Sequence, residues 1–387
     1  MKWQGIPYAK HWVTQEDIRG VCDILSSDFL TTGPVAQIFE NRLCELTGAG
    51  YAIVCANGTA ALHLACMAAD IHDTDLGVTS PNSFLASANC IEFCRGRTDF
   101  IDIDLSTLCM SPDKLETYCR EQAVPRVVIP VDFAGLAPDL PRFRALSKEF
   151  GFLIIEDAAH ALGSTYSFEG NTFACGSCAH SDMAIFSFHP AKTITAGEGG
   201  AILTNDPDLA ERLRLLRNHG MVRNQDPKTP WDGPWYYEMD TLGYNYRITD
   251  FQCALGISQM DRLGQFKARR NQIVSLYNQA FHGNTQLILP PEGLATDACP
   301  HLYPLQLANG KEARLALYKA LHARGIHCQI HYIPIYWQPY YAKKYGYEKG
   351  KCPGAETYYS RTLSLPLYPA MSDDQVQEII DAVLANL

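Results

Sequence analysis

Between Tyr51 and Gly200 the chain alternates short, almost wholly apolar runs with stretches of helical periodicity. YAIVC (51–55), LGVTSPNSF (76–84), TDFIDID (98–104), RVVIPVDFAG (126–135), FLIIEDAAHALGSTY (152–166) and the run Met183–Phe188 read as strands. AALHLACMAA, SPDKLETYCREQ and PDLPRFRALSKEFG read as helices between them. A strand that is apolar on both faces needs cover on both faces. These strand–helix repeats predict an α/β fold with a mostly parallel sheet between layers of helices. In such sheets ligands collect beyond the carboxyl ends of the strands. Asn57, Phe84, Asp157, His160 and Lys192 all fall at such ends, so one pocket can gather them.

The stretch Ser181–Gly200, SDMAIFSFHPAKTITAGEGG, carries the sharpest chemistry. Its apolar run ends at Pro190, which bars a helix at the residue before it and forces a turn. Lys192 sits just past that turn, with Gly197, Gly199 and Gly200 beyond. A lysine on a buried turn loses part of its water shell, which lowers its pKa and frees the lone pair that a Schiff-base lysine needs. The bland reading is a solvated loop lysine.

Two further strand ends sharpen the choice. Asn57-Gly58-Thr59 joins a buried strand to an apolar helix, an arrangement that aims free N–H groups at an anion. It matches neither a Walker loop nor a dinucleotide fingerprint, but a single phosphate fits. Asp157 follows four apolar residues and Glu156, a costly place for a carboxylate without a partner. Capping the next helix is one use for it. Pyridoxal phosphate needs an imine-forming lysine, a carboxylate at its ring nitrogen, a phosphate cup and a flat side chain against its ring. The chain supplies all four.

Size and charge set the outer bounds. The 387 residues leave room for two domains, read as a large domain over 1–250 and a smaller α+β domain over 251–387. Residues 12–50 form a helical arm in two pieces, split by LTTGP (30–34), and 249–283 link the two domains. A net charge of -10 without a basic stripe argues against nucleic acid. No run approaches the roughly 18 apolar residues of a membrane span, and MKWQGIPYAKHWVTQEDI holds no signal-peptide core. Fourteen scattered cysteines, among them Cys55, Cys66 and Cys253, suit buried thiols in a reducing, cytoplasmic setting. Cys175 and Cys178 have CxxC spacing without the second pair that a zinc ribbon requires.

ANGTAALHLA (56–65), IIEDAAHALG (154–163) and FSFHPAKTITAGEGG (186–200) resemble, in order and spacing, the DegT/StrS-type nucleotide-sugar aminotransferases. LTTGP, RNHGM (217–221), LGYNYRITDFQCALG (242–256) and HYIPIYWQPYY (331–341) extend the resemblance over nearly the whole chain. It implies the fold-type I architecture of pyridoxal 5'-phosphate enzymes, with a seven-stranded sheet. Lys192 is then the Schiff-base lysine and Asp157 the partner of the pyridine nitrogen. Gly58, Thr59 and Ser187 hold the phosphate with Asn57 close by, Phe84 stacks on the ring, and His160 lies near its other face or O3′. Asn245 reaches the cofactor of a neighbouring subunit, so a homodimer with shared active sites is expected. Some relatives are dehydratases with histidine in place of the lysine; this chain keeps Lys192.

Within the family, HPAK and HYIPIYWQPYY most resemble the branch that aminates C4 of a UDP-linked 4-keto-6-deoxy-N-acetylhexosamine on the way to pseudaminic acid, with glutamate as donor. Thr32, His219, Arg223, Arg247, His331 and Tyr332 are the expected substrate contacts. His331 reads equally as hydrogen-bonded core, and the helix at 208–218 as a solvated basic face. PKTPWDGPWYYEM (227–239) reads as an irregular loop near the sugar. The competing readings are amination of another nucleotide sugar, such as GDP-4-keto-6-deoxymannose, and a non-catalytic cofactor-binding regulator.

Overall fold

The computed structural model describes residues 5–223 and 233–387; positions 227–232 of the Pro/Trp-rich loop lie outside the described residues. Helices α1 (Gln15–Leu25) and α2 (Val35–Thr47) flank LTTGP as the sequence predicts. α1 starts on a capping box between Thr14 and Asp17, and α2 stops at Gly48, whose φ of 79° only glycine adopts without strain.

The chain then builds the central sheet: β1 (Tyr51–Cys55), α3 (Gly58–Ala68), β2 (Leu76–Thr79), α4 (Ala86–Phe93), β3 (Arg97–Phe100), α5 (Pro112–Glu121), β4 (Val127–Ile129), α6 (Leu140–Phe150) and β5 (Leu153–Asp157). A hairpin of β6 (Thr165–Phe168) and β7 (Asn171–Ala174) interrupts it before β8 (Met183–Ser187), β9 (Gly200–Thr204) and α7 (Pro207–Arg217). The seven strands lie in the order β1-β9-β8-β5-β4-β2-β3. β9 runs against both its neighbours, while β2, β3, β4, β5 and β8 pair in parallel, so the sheet is mostly parallel as expected.

Several strands are shorter than their apolar runs. β3 ends at Phe100 because Asp102 leaves the ladder to accept the backbone N–H groups of Ile103, Gly354 and Ala355. β4 is three residues long, since Pro130 has no N–H to donate and the chain swings into a tight turn at Phe133–Gly135. The β6–β7 hairpin, which the sequence reading did not separate from β5, turns at Glu169-Gly170 with φ of 49° and 78°.

Apolar side chains cover both sheet faces. Leu62, Leu64 and Ile91 of α3 and α4 pack on Ile155 and Ile185 from one side. Phe39 of α2 and Cys253 of α8 (Asp250–Met260) pack on Phe186 and Leu203 from the other. A second core forms between α9 (Leu263–Phe281), an antiparallel sheet of Leu287–Ile288, Tyr303–Leu307 and Thr362–Leu365, and the helices Lys311–Ala323 and Asp373–Leu384. Among the described residues no helix is long and apolar enough to cross a membrane.

One close approach locks the site's floor. A Cβ on Gly200 would lie 2.5 Å from the Asn57 carbonyl carbon and oxygen, so β9 can press against the start of α3 only through glycine. Gly200→Ala should therefore cost about 1–3 kcal/mol and lower the melting temperature by several degrees. Gly264→Ala, where a Cβ meets nothing within 4 Å, should not. Equal melting temperatures for the two variants would contradict this packing.

Candidate active site

The start of α3 is shaped to receive an anion. Asn57 caps it, its side chain accepting from the Ala60 N–H at 2.8 Å. The N–H groups of Gly58 and Thr59, in the first turn, have no helical partner by position and carry the positive end of the helix. Gly58 faces Ser187 at the end of β8: a Cβ there would come within 2.8 Å of the Ser187 Cβ. The absent side chain leaves a cradle between backbone N–H groups and the Ser187 hydroxyl. A phosphate suits it.

Across the sheet edge, Asp157 ends β5 with only 4% of its surface exposed. Its Oδ2 accepts from the Ser87 hydroxyl at 2.6 Å and its Oδ1 from the Ala159 N–H at 3.2 Å. Burial pushes this carboxyl above its ordinary value, while Ser87, Ala159 and the charge of Lys192 pull it back. The half-buried Lys192 lies beyond the Pro190 turn, its N–H bonded to the His189 carbonyl at 2.8 Å. Burial lowers its amine to about 8, with the Asp157 charge opposing. A desolvated amine and a desolvated carboxylate thus act on each other across one small space.

The third wall is aromatic. The Ala134 N–H donates to His160 Nδ1 at 3.3 Å, which leaves the ring proton on Nε2, 3.3 Å from the Tyr332 hydroxyl. Burial and the Lys192 charge push His160 well below its ordinary pKa, so it is a neutral imidazole. The rings of His160 and Tyr332 stack at 6.2 Å, and Phe84 stands 6.5 Å from Tyr332. Phe84 is 57% exposed, so one face of its ring is free to meet a flat ligand.

Other expected residues sit apart from this cluster or in different roles. His331 is buried, with Nδ1 2.9 Å from the Ser364 hydroxyl, and burial and Lys192 lower it to about 3. Thr32 and Arg247 line one groove with Arg214, Arg217 and Asn218. Asn245 is exposed and its backbone bridges to Asn218; His219 and Arg223 are exposed as well. Arg217 is not a solvated residue of the basic helix, for it donates to Glu40 and to the Val54 carbonyl, both at 2.7 Å. Cys175 and Cys178 are buried free thiols.

Sequence reasoning missed Ser87, seventy positions from the carboxylate it bonds, and His301, whose ring lies 4.4 Å from that of His160. Neither stands in a motif; only the folded sheet brings them in.

These residues fit pyridoxal phosphate on structural grounds: a glycine-floored anion cradle, a sheltered carboxylate, a destabilised ammonium and an open aromatic face. The DegT/DnrJ/EryC1/StrS aminotransferase family profile matches residues 12–384. The spore coat polysaccharide biosynthesis protein SpsC of Bacillus subtilis is 37% identical over 381 residues, covering 98% of this chain and 96% of that protein. Among solved structures, Helicobacter pylori PseC, an aminotransferase involved in the biosynthesis of pseudaminic acid, superposes with a TM-score of 0.90 at 29% identity over 99% of both chains. Spr1654 of Streptococcus pneumoniae superposes in its PLP form with a TM-score of 0.87 at 27% identity, over 99% of this chain and 100% of that one. The chain belongs to the DegT/DnrJ/EryC1/StrS aminotransferase family and is a pyridoxal phosphate-dependent sugar aminotransferase.

Proposed function

We propose that the enzyme moves an amino group from glutamate to C4 of a UDP-linked 4-keto-6-deoxy-N-acetylhexosamine, a precursor of pseudaminic acid. The observation that carries the substrate is the likeness to PseC over 99% of both chains. The segment His331–Tyr341 supports it, because it delivers Tyr332 to the wall of the pocket.

Pyridoxal phosphate, when bound, supplies an aldehyde carbon and a ring that accepts an electron pair from the reacting bond. The chain's own groups do the rest. The Gly58 and Thr59 N–H groups and the Ser187 hydroxyl would hold the phosphate, and Phe84 would offer its ring to the cofactor's. Asp157, whose anion the Ser87 hydroxyl and the Ala159 N–H favour against burial, would hold a proton at the ring nitrogen. Neutral His160 donates from Nε2 and fixes the Tyr332 hydroxyl. Lys192 Nζ would take the proton from the donor's α-carbon and pass it to the cofactor's aldehyde carbon, and in the other half-reaction would carry a proton from that carbon to C4 of the sugar, help worth roughly 100- to 10,000-fold.

The reading includes a homodimer in a reducing, cytoplasmic setting. Asn245 is exposed rather than facing its own subunit's cluster, and Leu25, Phe29, Leu30 and Ile38 leave apolar side chains in solvent. A second copy would cover them and bring Asn245 to the neighbouring phosphate. Thr32, His219, Arg223 and Arg247 then serve the nucleotide.

Two outcomes test this. Only the neutral amine is nucleophilic, so covalent capture of pyridoxal phosphate by apoenzyme, read as the cofactor absorbance that borohydride fixes to the protein, should rise with pH through a midpoint near 8. Lys192→Ala should show no such band and no turnover; a midpoint near the ordinary 10.5 contradicts the desolvated site. Incubated with glutamate and a panel of UDP- and GDP-linked 4-keto-6-deoxy sugars, the enzyme should aminate the UDP-linked N-acetylated sugar at C4. Preferential amination of the GDP sugar would overturn the substrate assignment.

A further inference from the structure

Side chains alternate across a strand, so Glu156 points to the opposite face of the sheet from Asp157. It is buried there, Oε1 accepting from the Gly176 N–H at 2.9 Å and Oε2 from the Ser181 hydroxyl at 3.1 Å. Beside it lies Asp132, 0% exposed, on the segment that continues β4 past Val131, which bridges to Asp157. The Asp132 N–H donates to the Asp157 carbonyl at 3.0 Å, so the two acids are tied through backbone to the site. Among the described residues neither Oδ1 nor Oδ2 of Asp132 meets a donor in ordinary hydrogen-bond geometry. A carboxylate oxygen of Asp132, one of Glu156 and the Cys175 sulfur all lie within 4.8 Å of one another.

An ionised Asp132 is costly in that position, because a buried charge forfeits its hydration and the weak S–H donor of Cys175 returns little of it. A neutral Asp132 has a hydroxyl hydrogen to place, and Glu156 is the acceptor within reach. Glu156 already receives an N–H and an O–H, a donor set that favours its anion. We infer that Asp132 and Glu156 share one proton beneath Asp157, and that this pair is a positioning device which fixes one negative charge behind the carboxylate of the active site.

Burial pushes Asp132 far upward, as the unionised partner requires, and raises Glu156 to about 7, while the Gly176 N–H, the Ser181 hydroxyl and Asp132 pull Glu156 back toward its anion. The other titratable groups facing the pair are Asp157 on β5, Tyr166 on β6, Cys175 and Cys178 after β7, and Cys109 ahead of α5. Burial raises the thiols and the phenol, which keeps them neutral. The consequence for Asp157 rests on its proposed role at the cofactor's ring nitrogen. A negative charge behind it raises the affinity of the nitrogen–carboxylate couple for its proton, and loss of that charge lowers it.

The pair itself is tested by infrared spectroscopy of the holoenzyme at neutral pH, in H2O and in D2O. The expected result is a protonated-carboxyl C=O band that shifts in D2O and vanishes in Asp132→Asn. No such band in the wild type, its persistence in Asp132→Asn, or one equivalent of a divalent metal in the purified holoenzyme would overturn the shared proton. The link to Asp157 is read in the pH titration of the visible cofactor band. Glu156→Gln removes the pair's charge and should move the midpoint to lower pH by roughly one unit. Asp132→Asn, which replaces an already neutral group, should leave it in place. A general packing role would move both variants alike or neither, and either result overturns the link. The infrared band is independent of the role given to Asp157, so a failure of that role shows itself separately, as a visible band indifferent to Asp157→Asn.

Discussion

An amine short of water, opposed by a carboxylate buried more deeply still, is the constraint on which the rest of this structure turns. Lys192 and Asp157 each sit where burial favours their neutral forms, and each draws the other back toward charge. Such a pair lasts only if the scaffold holds it, since an amine free to reach solvent would regain its proton. Rigidity comes from β5 and β8, which pair in parallel with Asp157 opposite Ile185. It comes also from the Pro190 turn and from α3, whose start is pressed onto β9 through Gly200. The sheet's strength and the candidate site are one arrangement, because Asp157 and Ser187 end strands whose neighbouring residues are packed core.

Much of this was legible in the residues. Apolar runs without alternation announced a sheet covered on both faces, and the sheet is mostly parallel. Asp157 and Lys192 stood out because each is a costly group at the end of an inexpensive run, and Asn57-Gly58-Thr59 because glycine at a helix start admits an anion. What stayed hidden depends on distance in sequence. Ser87 meets Asp157 across seventy residues, His331 finds Ser364 across thirty-three, and His301 reaches His160 from the far side of α9. No periodicity encodes those meetings. Strand lengths were overestimated where a side chain or a proline competed with the ladder, as at Asp102 and Pro130.

The basic helix shows the same limit from another angle. Its arginines look like a solvated face in sequence, yet Arg217 is drawn inward by the buried Glu40 carboxylate and the Val54 carbonyl, while Arg212 stays at the surface with Asp70. Five residues of helix separate anchor from decoration. Charge alone does not tell them apart, because the deciding partners lie on α2, β1 and the loop after α3.

The central claim is that one particular nitrogen bonds reversibly to the cofactor's aldehyde carbon. Purified protein loaded with pyridoxal phosphate, reduced with borohydride, digested and mapped by mass spectrometry reads that bond directly. The account predicts the phosphopyridoxyl mass on the peptide carrying Lys192 and on no other lysine. The label on a different side chain, or its absence from the whole map, would contradict it.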